Sequence, residues 1–331
     1  MVSHLIEAWQ SNDWPKLATL LAHDCALSWF EEGLVHGPDA VVNRLSEHPV
    51  SVQGFELYLS YTIIKLRMGD RPVLVKVVTS IDAVMLLVVV APPPGHHRIR
   101  FTMAYDGSRY RGFQRQPQGG AIQNVLEAAL VKLFKHPLSI HAASRTDAGV
   151  HARKQVFHAD LPAMPNHLAD LLDRMLPDDL HVYGAEVVPH VFHSRYDARK
   201  KTYRYRLIHQ VDPFLSHQAL VHQKLDVHRL NTQLELFVGC HDFRAFTVRN
   251  DKIDTVRTVY AARAFSLGDE TIIEWIGDGF LRHMVRMMVG HVLHDLCHDV
   301  NTVHAMLAEP LKPRRAMMAP AKGLYLHDIE Y

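Results

Sequence analysis

The chain has 331 residues, of which 48% are hydrophobic and 21% are charged. This composition is typical of a globular protein and excludes a disordered chain, and the length favours two or three domains. The formal net charge of +1 is far below that of a dedicated nucleic-acid-binding protein, so any polyanion site must be a local groove.

Charge is divided unevenly along the chain. Residues 1–95 hold 6 Lys and Arg against 10 Asp and Glu, whereas residues 96–331 hold 30 against 25, together with 21 of the 25 histidines. The second part is therefore mildly basic, and it is the part that allows a polyanion partner.

The three cysteines, Cys25, Cys240 and Cys297, share no close spacing. They predict neither a disulfide framework nor a cysteine-type zinc site, and they fit a reducing cytoplasm. The first residues lack the basic and apolar regions of a secretory signal, and the longest apolar stretch, residues 83–95, is too short to span a bilayer. We therefore expect a cytoplasmic protein without a membrane partner.

Residues 1–95 are predicted to form a small α+β domain. Apolar residues repeat at helical spacing from Leu5 to Leu21, with "SND" as a break that can cap a second helix. Strand-like runs follow as "FELYLSYTIIKL", "RPVLVKVVTS" and "AVMLLVVVA". The prolines and glycine of "APPPGHHRIR" place the domain boundary near residue 95.

The pattern "AWQSNDWPKLATLLAHDCALSW…GLVHGPDAV" in this domain loosely resembles a nuclear-transport-factor-2-like cone domain. The resemblance implies a cone whose pocket can carry a function of its own. The residues themselves favour a domain that only packs or dimerises, because they contain no evident acid–base pair.

Residues 96–331 alternate strands and helices, which predicts two similar α+β halves around one long sheet. Two stretches, "AIQNVLEAALVKLF" and "FLRHMVRMMVGHVLHDL", carry apolar stripes at helical spacing. The predicted strands are "RIRFTMAY", "VHARKQVFHA", "HVYGAEVVP", "TYRYRLI", "TVYAARAFS" and "TIIEWIGD".

The segment "AASRTDAGVHARKQVFHAD" places Asp147 between Arg145 and Gly149, at a turn between two strands. On spacing alone, the favoured interpretation is a turn former, because aspartate accepts hydrogen bonds from nearby backbone. The alternative is a nucleophile, which requires an ionised carboxylate held by a cationic neighbour.

Five further stretches mix Arg or Lys with Tyr or Phe. They are "YDGSRYRGFQRQ", "SRYDARKKTYRYRL", "GCHDFRAFTVRN", "GDGFLRHMVRMMVG" and "APAKGLYL". Cations can contact phosphates and aromatic rings can stack on unpaired bases, so this mixture suits RNA. For each stretch taken singly, a solvated strand or helix face is the favoured interpretation.

Two positions in these stretches have two interpretations each. Tyr203 and Tyr205 alternate on a predicted strand and share a face, which can serve sheet packing or an aromatic site. Arg286 lies on an otherwise apolar helix, where it either reaches solvent or pairs with a buried carboxylate. The sequence contains no glycine-rich phosphate loop, G-x-S-x-G or H-E-x-x-H motif, and its histidine pairs are weak metal signals.

Six motifs in order, over about seven-tenths of the chain, resemble the tRNA pseudouridine synthase A (TruA) family. They are "AYDGSRYRGFQRQP…AIQNVLEAAL", "SRTDAGVHA", "ARKKTYRYRL", "HDFRAF", "GFLRHMVRMMVG" and "APAKGLYL". The resemblance implies an α+β fold in residues 96–331, with a mixed or antiparallel sheet in two halves flanked by helices.

The resemblance also implies roles for individual residues. Asp147 would be the nucleophile, Arg286 its ion-pair partner, and Tyr203 the ring that stacks on the target uracil and helps to deprotonate it. Arg145 would fill the space of the extruded base or contact the RNA backbone, and Leu324 would line the pocket. Further substrate contacts are expected at His151, Phe113, Gln114 and Tyr205.

The implied reaction converts uridine to pseudouridine at positions 38 to 40 of the tRNA anticodon stem-loop. The base leaves the stack. Asp147 then attacks C6 of the base or C1′ of the ribose, and the base rejoins the ribose through C5. The resemblance implies no metal or other cofactor, and a homodimer in which one tRNA bridges both subunits.

Three features depart from the family pattern. Phe113 stands where Trp is usual, Ser144 stands where Gly commonly precedes the arginine, and the acidic residues 1–95 are additional. Two other functions therefore stay open at this stage. The protein could bind or fold tRNA without catalysis, or residues 1–95 could carry a small-molecule function of their own.

Overall fold

A computed structural model describes residues 95–248, 254–312 and 317–331, and before residue 95 it describes the backbone of six strands. The chain separates into two compact units. One comprises residues 1–98 with 188–193, and the other comprises residues 99–187 with 194–331.

The first unit contains a two-stranded and a four-stranded antiparallel sheet. The three predicted strand runs are present, and "FELYLSYTIIKL" divides between two strands, β3 and β4. The predicted helices between Leu5 and Leu21 lie outside the described residues. The strands are β1 (Ala26–Trp29), β2 (Gly33–His36), β3 (Val50–Leu57), β4 (Thr62–Met68), β5 (Arg71–Thr79) and β6 (Val84–Val90).

The second unit is built on a ten-stranded mixed sheet, which confirms the predicted fold class. Its strands are β7 (His97–Tyr105), β8 (Ile140–Ala142), β9 (His151–Leu161), β10 (Leu180–Val187), β11 (Lys200–Ile208), β12 (Leu220–Val221), β13 (Gly239–Asp242), β14 (Val256–Leu267), β15 (Glu270–Gly277) and β16 (Leu324–Glu330). Their order across the sheet is β10-β7-β9-β16-β11-β15-β14-β13, with β8 beside β9 and β12 beside β11.

The last strand, β16, lies at the centre of this sheet. It runs parallel to β9, with Tyr325 opposite His151, and antiparallel to β11, with Leu326 opposite Tyr203. It therefore joins the half that carries Asp147 to the half that carries Tyr203 and Arg286. This strand was not predicted, because its first residues belong to "APAKGLYL", which has the pattern of a polar cluster.

Helices pack their apolar stripes against the sheet and one another. In α1, the predicted stripe is buried at Ile122, Leu126, Ala129 and Leu130. The described helices are α1 (Ile122–Phe134), α2 (Leu168–Asp173), α3 (Val227–Glu235), α4 (Met284–His298) and α5 (Thr302–Ala308). Three of them, α2, α3 and α5, are absent from the sequence prediction.

The start of α4 differs from the prediction, which placed Phe280 and Leu281 on the helical stripe. The helix begins at Met284, after His283 in a left-handed conformation with φ of 64°. A left-handed residue cannot continue an α-helix, so the helix starts after it. Because α4 begins at Met284, His283 and Arg286 both lie at its first turn.

Candidate active site

Asp147 lies in the segment between β8 and β9, and both interpretations of this residue have support. Its carbonyl accepts a hydrogen bond from the Val150 N–H at 3.1 Å, with Gly149 at a φ of 76°. The backbone therefore forms the turn that the spacing favours. The side chain points elsewhere, because its Oδ2 lies 3.0 Å from Nη1 of Arg286.

Arg286 is held from two directions. Its Nη1 donates to Asp147, and its Nε donates to the Ala319 carbonyl at 2.9 Å. The Arg286 carbonyl in turn accepts the Ala319 N–H at 3.0 Å. The side chains of Arg286 and Asp147 are 13% and 19% exposed, so the predicted ion pair is confirmed in a largely enclosed place. The guanidinium thus places a positive charge directly beside the carboxylate.

His283 is a second group beside the carboxylate, with Nε2 3.5 Å from Oδ1 of Asp147. Burial lowers the pKa of His283, the charge of Asp147 opposes this, and the cations Arg282 and Arg286 lower it further. The imidazole is therefore neutral at neutral pH. The sequence analysis missed His283 because it is one histidine among 25. The sequence does contain one indication that His283 lies near Arg286: it precedes Arg286 by three residues, and residues three apart are neighbours on the surface of a helix.

Tyr203 projects from β11 and is 6% exposed. Its hydroxyl lies 2.7 Å from Oγ of Ser144, and its ring meets the edge of Phe280 with centroids 5.2 Å apart. Burial raises the pKa of Tyr203 to about 12, which the Ser144 hydrogen bond opposes and the charge of Asp147 promotes. The phenol is therefore protonated at neutral pH.

Tyr205 shares the face of Tyr203, as the alternation predicts, but it is fully buried. Its hydroxyl donates to the Pro320 carbonyl at 2.8 Å. A Cβ on Gly323 would lie 2.7 Å from the Tyr205 ring, so glycine permits this close packing. Tyr205 therefore supports the segment before β16, and its contact with the substrate stays a prediction.

His151, a second predicted substrate contact, is only 1% exposed. Its Nδ1 accepts the Gly107 N–H at 3.1 Å, beside Asp106, and its Nε2 lies 3.1 Å from the Lys322 carbonyl. The ring stacks on Tyr325 at 4.6 Å. His151 therefore connects the "YDG" turn to the C-terminal segment, and its contact with the substrate stays a prediction.

Phe113 is buried behind the Asp147 segment, and its contact with the substrate likewise stays a prediction. Its N–H donates to the Thr146 carbonyl at 3.1 Å, and its ring lies 6.0 Å from that of Tyr105. The neighbouring Gln114 is exposed and accessible to RNA. The motif "GFQ" thus combines a packing residue with a surface residue.

The two remaining predicted contacts differ in exposure. Arg145 is exposed overall, but partial burial of its side chain and the charge of Arg195 lower its pKa. The effect of Arg195 indicates that a second cation lies near Arg145. Leu324 is 5% exposed, opposite Tyr205 in the sheet. Its exposure is close to that of Tyr203, so it stays a predicted pocket residue.

The described residues also bear on two other classes of protein, those that hold a metal ion and those that cross a membrane. No three His, Cys, Asp or Glu side chains in this part of the chain come together in a way that could hold a metal ion. None of the described helices combines the length and hydropathy that a bilayer crossing requires.

Comparison with known proteins identifies the family to which this site belongs. A family model described as tRNA pseudouridine synthase matches residues 102–197 and 234–331. The chain is 40% identical over 240 residues to a tRNA pseudouridine synthase A of Exiguobacterium sp., covering 71% of this chain and 98% of that protein. It is 38% identical over 249 residues to the enzyme of that name from Lactiplantibacillus plantarum, covering 71% and 94%.

The chain belongs to the tRNA pseudouridine synthase family. Members of this family isomerise uridine to pseudouridine in tRNA, so the protein is an isomerase. A catalytically silent tRNA-binding protein is not favoured. Asp147 and Arg286 lie within the residues that the family model matches, and Tyr203 lies between the two matched ranges.

Solved structures provide a weaker likeness. An NTF2-like protein from Cytophaga hutchinsonii aligns with 27% of the chain at 12% identity and a TM-score of 0.24. One from Burkholderia xenovorans aligns with 28% at 14% identity and the same TM-score. They cover 85% and 80% of those proteins. Such low scores carry no argument, and the cone-domain interpretation of residues 1–95 stays a prediction.

Proposed function

We propose that this pseudouridine synthase acts on uridines 38 to 40 of the tRNA anticodon stem-loop, with Asp147 as its nucleophile. The observation that carries the proposal is the Asp147 carboxylate, held by Arg286 at 3.0 Å. Family membership supplies the reaction, and this ion pair supplies the ionised group that the reaction needs.

The reaction requires that the target base leaves the stack, because its glycosidic bond is otherwise enclosed. Asp147 then attacks either C6 of the uracil or C1′ of the ribose. The bond between N1 and C1′ breaks, the base turns, and C5 bonds to C1′. C5 loses its proton, N1 gains one, and the aspartate is released unchanged.

Tyr203 is proposed to stack on the extruded uracil. Tyr203 lies near enough to Asp147 for the charge of that carboxylate to raise its pKa, and aromatic faces bind unpaired bases. The sequence analysis also suggested that it deprotonates the base. A phenol with a pKa of about 12 is protonated at neutral pH, so stacking is the role that its state supports.

Surface residues are proposed to hold the RNA. Arg145 is exposed with Arg195 near it, and Gln114 is exposed at the end of the "GFQ" motif. Local cations of this kind can neutralise phosphates even though the chain carries a net charge of only +1. A homodimer, which would double the basic surface, and a cytoplasmic location complete the proposal. No cofactor is required.

The first test is tritium release from C5-labelled uridine in unmodified tRNA, with wild type beside Asp147→Asn. We expect release by wild type only, while Asp147→Asn retains tRNA binding, because the amide is nearly isosteric but not nucleophilic. The matched control is Asp269→Asn, at an exposed turn, which should keep full activity. Turnover by Asp147→Asn would disprove the nucleophile.

The second test addresses the substrate and the assembly. Three anticodon stem-loops, each with uridine at only one of positions 38, 39 and 40, should all be converted. Light scattering should give twice the chain mass of 37.7 kDa. Conversion only at other sites of tRNA, or a monomer that is fully active, would contradict the finer proposal but not family membership.

A further inference from the structure

The hydroxyl of Tyr203 is anchored by a residue outside the predicted site. Ser144 Oγ lies 2.7 Å from Tyr203 OH, across 59 residues of sequence. Tyr203 is on β11, whereas Ser144 belongs to the segment between β8 and β9 that also carries Asp147. The contact therefore links the stacking ring directly to the segment of the nucleophile.

Ser144 is itself held at both backbone polar groups by one side chain. Its N–H donates to Gln155 Oε1 at 3.3 Å, and its carbonyl accepts from Gln155 Nε2 at 2.8 Å. Gln155 has no exposed surface. A buried amide bonded at both ends has a single orientation, so it defines the position of the Ser144 backbone.

The residues on both sides of Ser144 are held as well. The Ala143 carbonyl accepts from Lys201 Nζ at 2.9 Å, and the Ala143 N–H donates to the Val156 carbonyl at 2.8 Å. Thr146 Oγ1 lies 2.8 Å from the hydroxyl of Tyr105. The Ser144 hydroxyl is therefore a fixed point from which the Tyr203 ring is positioned.

We propose that Ser144 is a positioning residue for Tyr203 and holds its ring in the orientation that stacks on the target uracil. The proposal rests on the function proposed for Tyr203. The edge of Phe280 restrains the ring plane, and Ser144 restrains the hydroxyl end. Ring orientation matters for rate because reacting groups must be aligned closely, and a displacement of about 1 Å can cost about 100-fold.

A merely structural serine would behave differently from a positioning one. It would affect turnover through the segment as a whole, and it would do so whether or not Tyr203 has a hydroxyl. A positioning serine acts only through that hydroxyl. The double-mutant cycle between Ser144 and Tyr203 separates the two cases, because it measures the coupling of the pair.

The experiment measures single-turnover rates and KM for tRNA in Ser144→Ala, Tyr203→Phe and the double variant. We expect Ser144→Ala to lower the rate about tenfold and to change KM less than about twofold, a loss within the range of misplaced groups. In the Tyr203→Phe background the same change should have little further effect. Ser144→Thr, which keeps a hydroxyl, should recover most of the rate, and the exposed Ser266→Ala is the matched control.

Equal losses in both backgrounds, or an unchanged rate in Ser144→Ala, would overturn the proposal. If Tyr203→Phe has no measurable rate, a crystal structure of Ser144→Ala decides: a displaced Tyr203 hydroxyl supports the proposal and an unmoved one refutes it. Asp147→Asn is assayed alongside. If Asp147→Asn retains turnover, the proposed function fails. If it is inactive while Ser144→Ala matches wild type, only this inference fails.

Discussion

Each face of the sheet at β11 lies beside a carboxylate from another segment that is held by arginine, and the two carboxylates differ in their contacts. On one face, Glu274 is 2% exposed and accepts from both Arg204 at 2.7 Å and Arg263 at 2.8 Å. On the other face, beside Tyr203, Asp147 pairs with one guanidinium.

The difference lies in what each carboxylate oxygen contacts. Burial alone would raise the pKa of Glu274, but hydrogen bonds from Arg204 and Arg263 outweigh it and hold the pKa below its usual value. Both oxygens of Glu274 are thus occupied by cations. Asp147 has a guanidinium on Oδ2, whereas Oδ1 faces the neutral imidazole of His283 at 3.5 Å. The proposed nucleophile thus has one oxygen that is not paired with a guanidinium, as an attack on the substrate would require.

The largest expected effect comes from removing Arg286, the cation beside Asp147. Arg286→Met leaves the Asp147 carboxylate in an enclosed place without its guanidinium, which favours the protonated form and its loss as a nucleophile. We expect turnover to fall about 100-fold, equivalent to about 2.7 kcal/mol. Tritium release measures this, and unchanged activity would refute the role of the ion pair.

For Glu274 we expect the opposite result, a loss of stability without a loss of turnover. Glu274→Gln removes the charge between Arg204 and Arg263 and should lower the free energy of unfolding by about 2 kcal/mol. This is below the usual cost of breaking a buried pair, because both guanidiniums reach solvent. Denaturant titration measures the change, and turnover at a temperature where the variant is folded should match wild type. A loss of turnover without a loss of stability would contradict the comparison.

The smallest effect is expected at His283, which faces Asp147, Arg282 and Arg286. Its folded pKa is below the ordinary value of about 6.5, so activity should persist through neutral pH. Activity should fall as acid protonates the imidazole, because a second cation would then occupy Oδ1.

His283→Asn tests this, because asparagine tolerates the left-handed backbone at φ of 64°. Its shorter side chain should lower kcat/KM about tenfold. The acidic limb of the pH profile should move to lower pH, since the titrating imidazole is gone. An acidic limb identical to that of wild type would assign the titration to another group.

Much of the fold of residues 96–331 could be predicted from local pattern. Alternating residues predicted β7, β9, β11 and β15, and the apolar stripe predicted α1. The start of α4 was wrong because a single left-handed residue, His283, interrupts the pattern without changing its hydropathy. The strand β16 was missed because its position at the centre of the sheet depends on partners distant in sequence.

The candidate site likewise has features that the sequence predicted and features that only the structure shows. The motif order predicted Asp147, Arg286 and Tyr203, and the structure brings these three side chains to one place. Substrate contacts at His151, Phe113 and Tyr205 stay predictions, and the structure adds that these three side chains are buried, which is a property of the packed molecule and not of a motif. Gln114 and Arg145 are exposed as an RNA contact requires.

The sequence by itself determined the family, the reaction class and the candidate nucleophile, because these depend on residue types at short spacings that a linear motif records. Only the tertiary structure decided what each oxygen of Asp147 contacts and what holds Tyr203. Asp147 and Arg286 are 139 residues apart, and Ser144 and Tyr203 are 59 apart. Contacts at such separations form only when the central strand β16 brings the two halves of the sheet together, so no local pattern contains them.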